Sequence, residues 1–189
     1  MIAKGHDIPN VTLVGVISAD VGLSLPDFRS AERTFQLLTQ AAGRAGRGDL
    51  PGIVLIQTMN PEHYAIRFAA EQDYAKFYEK EIQFRRTMRY PPFSALANIL
   101  VRSEQQERAL EWSAELGRLL DPAPGGIKAL GPAEAAVSKI KREFRYQILL
   151  KATDRKLLNQ TLQLIRNHAL KQKWGSTALV IDVDPVTLL

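Results

Sequence analysis

Arg145-Tyr146-Gln147-Ile148-Leu149-Leu150-Lys151-Ala152, followed at once by Thr153-Asp154, is the stretch on which the fold turns. Tyr146 alternates with Ile148 in an apolar run, so residues 145–152 read as a strand. Asp154 stands where an N-cap belongs, ahead of a helix to about residue 171 with Leu157, Leu158, Leu162 and Ile165 on its inward stripe. Working outward, residues 178–183 form the last strand. Upstream, residues 95–102 are a strand and 105–120 a helix with Ala109, Trp112, Leu116, Leu119 and Leu120 inward. The turn cluster Asp121-Pro122-Ala123-Pro124-Gly125-Gly126 follows. Residues 127–131 are a short strand, and 135–140 read as strand or loop. The order β-α-β-β-α-β is the split βαβ arrangement. It predicts a four-stranded antiparallel sheet with both helices on one face.

The first half has a different rhythm. Residues 11–18 read as a buried strand through Val11, Leu13, Val14, Val16 and Ile17, with Asp20 at its end. Residues 21–29 are a loop carrying Gly22 and Pro26. Ser30 is read as the N-cap of a helix over 33–45, ended by glycines. Pro51-Gly52 breaks the chain before a second apolar strand, 53–57. Strand, helix, strand is an α/β pattern. Asn60-Pro61-Glu62 opens a helix to about residue 70. A longer helix spans 73–88, with Tyr74, Phe77, Tyr78, Ile82 and Phe84 partly fitting a stripe, until Pro91-Pro92 stops it. The expected division is residues 1–60, a helical linker over 61–92, and a second domain over 93–189.

Composition narrows the function classes. Hydrophobic residues make up 46% of the 189, enough for a real core. The net charge of +5 permits a nucleic-acid partner without requiring one. The chain has no cysteine, which excludes disulfides and a cysteine-built zinc site within it. The histidines His6, His63 and His168 are far apart, so no metal site is expected. No apolar run reaches the length of about 18 residues that spans a bilayer, and no leader opens the chain. A soluble, cytoplasmic protein without a membrane partner is expected. Two basic clusters stand out: Arg85, Arg86 and Arg89, then Lys139, Lys141, Arg142, Arg145 and Lys151.

The octet Gln40-Ala41-Ala42-Gly43-Arg44-Ala45-Gly46-Arg47 is the main candidate for chemistry. Arg44 and Arg47 project from one side of a helix end, and Gly43, Ala45 and Gly46 leave room for a large anion. Guanidinium groups are always charged and fork-shaped, which suits phosphate. On its own the pattern is also compatible with solvated arginines and a glycine C-cap. The pattern Q-x-x-G-R-x-G-R resembles motif VI of superfamily 2 helicases. Lys4-Gly5-His6-Asp7-Ile8-Pro9-Asn10, feeding the strand from Val11, resembles their motif V.

Longer strings narrow the resemblance. Leu25-Pro26-Asp27-Phe28-Arg29-Ser30-Ala31-Glu32-Arg33, Gln57-Thr58-Met59-Asn60-Pro61-Glu62-His63, Asp73-Tyr74 with Phe77-Tyr78, Tyr90-Pro91-Pro92-Phe93, and Asp182-Val183-Asp184-Pro185 look like the PriA family of bacterial replication-restart helicases. The resemblance covers essentially the whole chain. It implies the C-terminal portion of such a helicase: part of a RecA-like helicase lobe two, then an α+β split βαβ domain similar to ribosomal protein S10. It implies that Arg44, Arg47 and Gln40 serve ATP hydrolysis in the intact enzyme, and that Gly5, Asp7, Gly43 and Gly46 couple ATP to DNA.

The phosphate-cradling G-x-x-x-x-G-K-[ST] loop is missing from this sequence. ATP and Mg are therefore expected only in an intact parent, the family's zinc module is absent, and this stretch alone is expected not to be an ATPase. DNA, single-strand DNA-binding protein and other primosome proteins are the implied partners. Lys139, Lys141, Arg142 and Arg145 are either a solvated charge run or a phosphate-contacting ridge, with Phe144 and Tyr146 nearby for stacking. Arg155 and Asn159, four apart on one helix face, are either ordinary surface or a receptor for the acidic tail of single-strand DNA-binding protein. Arg85, Arg86 and Arg89 either touch DNA or solvate a helix end. The alternatives are a stand-alone nucleic-acid-binding module and a protein-interaction scaffold.

Overall fold

The computed structural model describes residues 10–46 and 50–188. The chain divides into two compact units, Met1–Phe84 and Arg85–Leu189. It is a mixed α/β structure with two separate sheets. Among the described residues no helix is long and apolar enough to cross a membrane.

In the first unit, β1 (Leu13–Val16) pairs in parallel with β2 (Ile53–Ile56), with Leu13 opposite Ile53 and Val16 opposite Ile56. Between them run α1 (Asp20–Leu23) and α2 (Ser30–Ala42). The expected loop over 21–29 thus contains one helical turn, closed by Ser24 N–H donating to the Asp20 carbonyl. Helix α2 starts at Ser30 rather than after it, with Arg29 at the N-cap position and no side-chain capping hydrogen bond, and Asp27 braces the turn ahead of it. The Asp27 carboxylate accepts from Arg29 N–H and pairs with Arg33 at 2.9 Å, while Ser30 Oγ–H donates to the Asp27 carbonyl.

Helices α3 (Tyr64–Ala70) and α4 (Tyr74–Met88) follow. Residues 61–84, read from sequence as linker, supply Ala65, Ile66, Phe68, Ala69 and Phe77 to the first core, with Phe77 stacked on Phe35 at 4.1 Å. Of the stripe expected on this long helix, Phe77 is buried and Tyr74, Tyr78 and Phe84 are exposed. The place of a second inward apolar residue is taken by buried Glu81, which accepts 2.7 Å from the Tyr64 hydroxyl. On the other face of the β1–β2 pair, Leu13, Ile17, Ile53 and Leu55 are exposed.

The second unit comprises β3 (Ala95–Ser103), α5 (Gln106–Leu119), β4 (Ile127–Ile140), β5 (Glu143–Ala152), α6 (Arg155–Lys171) and β6 (Leu179–Val183). The strands form one antiparallel sheet in the order β4-β5-β3-β6. Alternation puts Ala97, Ile99 and Val101 of β3 on the same face as Ile148, Leu150 and Ala152 of β5. Leu116 and Leu120 from the α5 end, and Leu158, Leu162 and Ile165 from α6, pack against that face in one core. Both helices therefore share one side of the sheet. Asp154 caps α6, its carboxylate accepting 2.9 Å from Leu157 N–H. Strand β4 runs unbroken where the sequence suggested two pieces. It bridges the gap with register shifts between Leu130 and Ala133 and between Glu134 and Lys139.

Candidate functional site

The octet closes the C-terminal end of α2, at the strand-entry end of the first sheet. Gly46, at φ 72°, donates its N–H 2.9 Å to the Val11 carbonyl. A β-carbon on Gly52 would lie 2.1 Å from Gly46 N, so two glycines are needed for this crossing. Arg44 is half-buried just past the helix, and Gln40 is exposed one turn earlier. Arg47, and the Gly5 and Asp7 of the preceding motif, lie outside the described residues.

The backbone of the octet is already spent. Gly43 N–H donates to Thr39, Arg44 N–H to Ala41, Ala45 N–H to Ala42 and Gly46 N–H to Val11, all within 3.1 Å. A phosphate cradle needs several unsatisfied backbone N–H groups aimed at one point, and residues 43–46 offer none. What this segment can give an anionic ligand is side-chain charge.

The opposite end of the sheet carries a feature that the sequence reading missed. The Asp20 carboxylate accepts from Thr58 Oγ–H, Met59 N–H and Asn60 Nδ2–H at 2.8–2.9 Å, tying together the two loops that leave β1 and β2. The Asn60 hydrogen bond, then that of Met59, holds its carboxyl below the usual range. His63 caps α3 by accepting from Ala65 N–H at 3.2 Å, and burial pushes its pKa below the ordinary value. The Asp20 contacts link residues some 40 apart, which no local spacing signals.

In the second unit, the basic cluster sits on the β4–β5 hairpin. Ile140 pairs with Glu143, so the loop is the two residues Lys141 and Arg142, with φ of 48° and 74°. Two central residues at positive φ define a type I′ turn, a position that strongly favours Asn-Gly. Here both residues carry long cationic side chains, exposed at the tip. Lys139 Nζ lies 4.3 Å above the Phe144 ring, and Arg145 Nη1 donates 3.1 Å to the Val137 carbonyl. Phe144 is thus covered by its own strand partner, and buried Tyr146 is core. Glu143 is paired with Arg102 at 3.1 Å. None of the four basic residues forms an ion pair among the described residues.

Arg155, at the start of α6, pairs with the Asp184 carboxylate, and Asn159 is exposed one turn on. Of the junction arginines, Arg85 Nη1 reaches the Pro91 carbonyl and Arg86 lies over the Phe93 ring at 4.9 Å, so both help fold the turn. Among the described residues the Arg89 side chain makes no such contact, and Arg89 adopts φ 52°.

The second unit is thus a split βαβ sheet with a basic hairpin tip, and the first a strand-helix-strand arrangement followed by two further helices. Residues 86–186 match the family described as the primosomal protein N C-terminal domain, and the chain belongs to that family. The replication restart protein PriA of Bacillus subtilis (strain 168) is 42% identical over 191 residues, covering 100% of this chain and 24% of that protein. The PriA proteins of Borreliella burgdorferi and Treponema pallidum are each 38% identical, over 100% of this chain and 28% and 29% of theirs. The chain therefore spans about a quarter of the length of these relatives.

Proposed function

We propose that this chain acts as the C-terminal part of an ATP-driven DNA helicase that moves 3′ to 5′ at abandoned replication forks and directs replication restart. In this reading the first unit is the tail of a RecA-like lobe two, and the second, S10-like unit contacts DNA. The observation that carries it is the 42% identity to a replication restart protein over a match that covers the whole chain.

The intact protein holds ATP and Mg; this chain contributes charge. Arg44 and Arg47 offset the negative charge that develops on the transferring γ-phosphoryl oxygens. The spent backbone of residues 43–46 supports a role of this kind, since guanidinium groups can reach a nucleotide cradled elsewhere. Gln40, Gly5, Asp7, Gly43 and Gly46 couple that event to DNA. In the intact helicase, Arg47→Ala is expected to lower DNA-stimulated ATP hydrolysis by about 10³ to 10⁵, as loss of an arginine finger does, while fork binding persists. Normal turnover in that variant refutes the assignment.

DNA contact falls to Lys139, Lys141, Arg142 and Arg145. Such contacts go to phosphates, so binding is expected to be salt-sensitive and indifferent to sequence. A second reading has its own support: Arg155 already binds a carboxylate, that of Asp184. The acidic tail of single-strand DNA-binding protein, with its terminal carboxylate, takes that place beside Asn159 by exchange. Arg155→Glu is expected to abolish binding of the tail peptide and leave DNA binding intact; unchanged peptide affinity sinks this reading. Other primosome proteins dock on the same unit.

A further inference from the structure

The sheet of the second unit has one face covered by α5 and α6. Its other face carries a pair of lysines that the proposed function does not use. Lys128 of β4 and Lys151 of β5 are direct partners in register. Like charges placed directly opposite across a sheet destabilise it. Lys151 is also only 7% exposed. Its ammonium donates 3.1 Å to the Met88 carbonyl and lies 3.4 Å from the Tyr90 ring centre. Those two contacts latch it to the end of α4, but neither is a full counter-charge. Among the described residues neither lysine forms an ion pair. A buried cation without a carboxylate is costly. Burial, and then the neighbouring Lys128, pull the Lys151 amine below its ordinary pKa.

Beside these lysines lies a recess of about 470 Å³, walled by residues 87–94 on one side and the β4–β5 edge on the other. Its lining holds three cations, Arg89, Lys128 and Lys151, together with the hydroxyl residues Thr87, Ser94 and Thr153 and no Asp or Glu. Among the described residues, Arg89 is the junction arginine whose side chain the turn does not engage. Its left-handed backbone is held by Ser94 Oγ–H, which donates 2.8 Å to its carbonyl. The half-charge of a helix end can offset part of one ammonium, leaving two cations facing the same space. We infer that this recess binds a phosphate group, held by Arg89, Lys128 and Lys151, whether borne by a nucleic-acid strand or by a small phosphate. The site shares none of the four basic residues at the hairpin tip, so it stands or falls apart from the DNA contact proposed there.

The test follows thermal unfolding of the full chain by tryptophan fluorescence, since both tryptophans, Trp112 and Trp174, lie stacked in this unit. Inorganic phosphate is compared with chloride at matched ionic strength. A ligand at ten times its Kd raises the folding constant about elevenfold, which shifts the unfolding temperature of a domain this size by about 6 °C. The surface double variant Lys128→Gln with Arg89→Gln is expected to lose that shift and to unfold, without ligand, at the same or a higher temperature. No phosphate-specific shift in the wild type overturns the site. So does an equal shift in the variant, which would mark phosphate as merely an excluded salt.

Short oligothymidylates with and without a 5′-phosphate identify the source. Tenfold tighter binding of the phosphorylated strand assigns the site to a strand end, and equal binding that weakens in Lys128→Gln with Arg89→Gln assigns it to backbone phosphodiesters. A response to inorganic phosphate alone assigns it to a small phosphate. The hairpin variant Lys141→Asn with Arg142→Gly keeps the phosphate shift in every case.

Discussion

Replacing the hairpin turn Lys141-Arg142 by Asn-Gly is expected to make the second unit more stable and a weaker DNA binder at once. The two φ values of 48° and 74° put L side chains where the β-carbon crowds the following carbonyl. That conformation costs roughly 1–2 kcal/mol per residue. The Arg142→Gly change removes the share of its own position but gives back about 0.5–1 kcal/mol in unfolded-chain entropy, and Asn at the first position keeps part of the strain. The net gain is about 1 kcal/mol, read as a rise of roughly 4–8 °C in the unfolding temperature for a domain this size. The same change removes two cations. If each meets one phosphate, the slope of log K against log salt falls by about 1.8. Taking 1 M salt as the point where the two proteins bind alike, the variant is weaker by about 18-fold at 200 mM and about 200-fold at 50 mM. Fluorescence anisotropy on duplexes of two unrelated sequences measures affinity and slope together. Lys171→Gln with Lys173→Gln, which removes two exposed charges around the end of α6, serves as the charge control and should leave the slope unchanged. A stabilised variant with unaltered affinity and slope refutes the contact. A destabilised variant refutes the strain.

Two further outcomes test the framework around that hairpin. Asp154→Ala removes the carboxylate that accepts from the Leu157 amide at the start of α6 and should cost about 1 kcal/mol, seen as an earlier tryptophan-monitored transition with DNA affinity unchanged at temperatures where the unit is folded. His63 is held below its ordinary value of 6.5 chiefly by burial, so the unfolded chain binds its proton first on acidification. Stability then rises with pH across this window and is lost as pH falls from about 6.5 toward the folded value. Hydrogen exchange of the Ala65 amide, which His63 caps, should show falling protection over that interval, and His63→Gln should flatten the trend.

The second unit was legible because its signals are local. Alternation in β5, the Asp154 cap and the stripe of Leu158, Leu162 and Ile165 each fit within one element, and the structure buries those residues together. Strand β4 was half legible, because Gly131-Pro132 reads as a break and only pairing with β5 carries the strand across it. Residues 61–92 read as a helical linker, and the packing of Ala65, Ile66, Phe68, Ala69 and Phe77 into the first core was not visible, for a related reason. Glu81 reads as solvent-facing until Tyr64, 17 residues earlier, supplies its hydroxyl partner. Among the candidate residues, the charge run on the hairpin was visible as composition. Its turn type was not, since Lys-Arg is the opposite of what a type I′ turn advertises. The pairing of Arg155 with Asp184 and the opposition of Lys128 and Lys151 depend on strand register and chain return, which no spacing encodes.

Those departures from local rules divide into two kinds, and the division separates scaffold from site. Buried Asp27 has Arg33 and the Arg29 amide, buried Glu81 has Tyr64, and Arg102 has Glu143. Each costly group is matched within the fold, so each is explained by folding alone. Lys141 and Arg142 sit in strained backbone with no internal acceptor for their charge among the described residues. Lys128 faces Lys151 with no carboxylate between them among those same residues. A fold whose net stability is only about 5–15 kcal/mol does not keep such costs without return. Both pairs are cationic and lack a carboxylate partner among the described residues, and both are in the second unit. On the function and the recess proposed above, their partner is an anion from outside the chain, and the hairpin tip and the recess are two separate places to look for it.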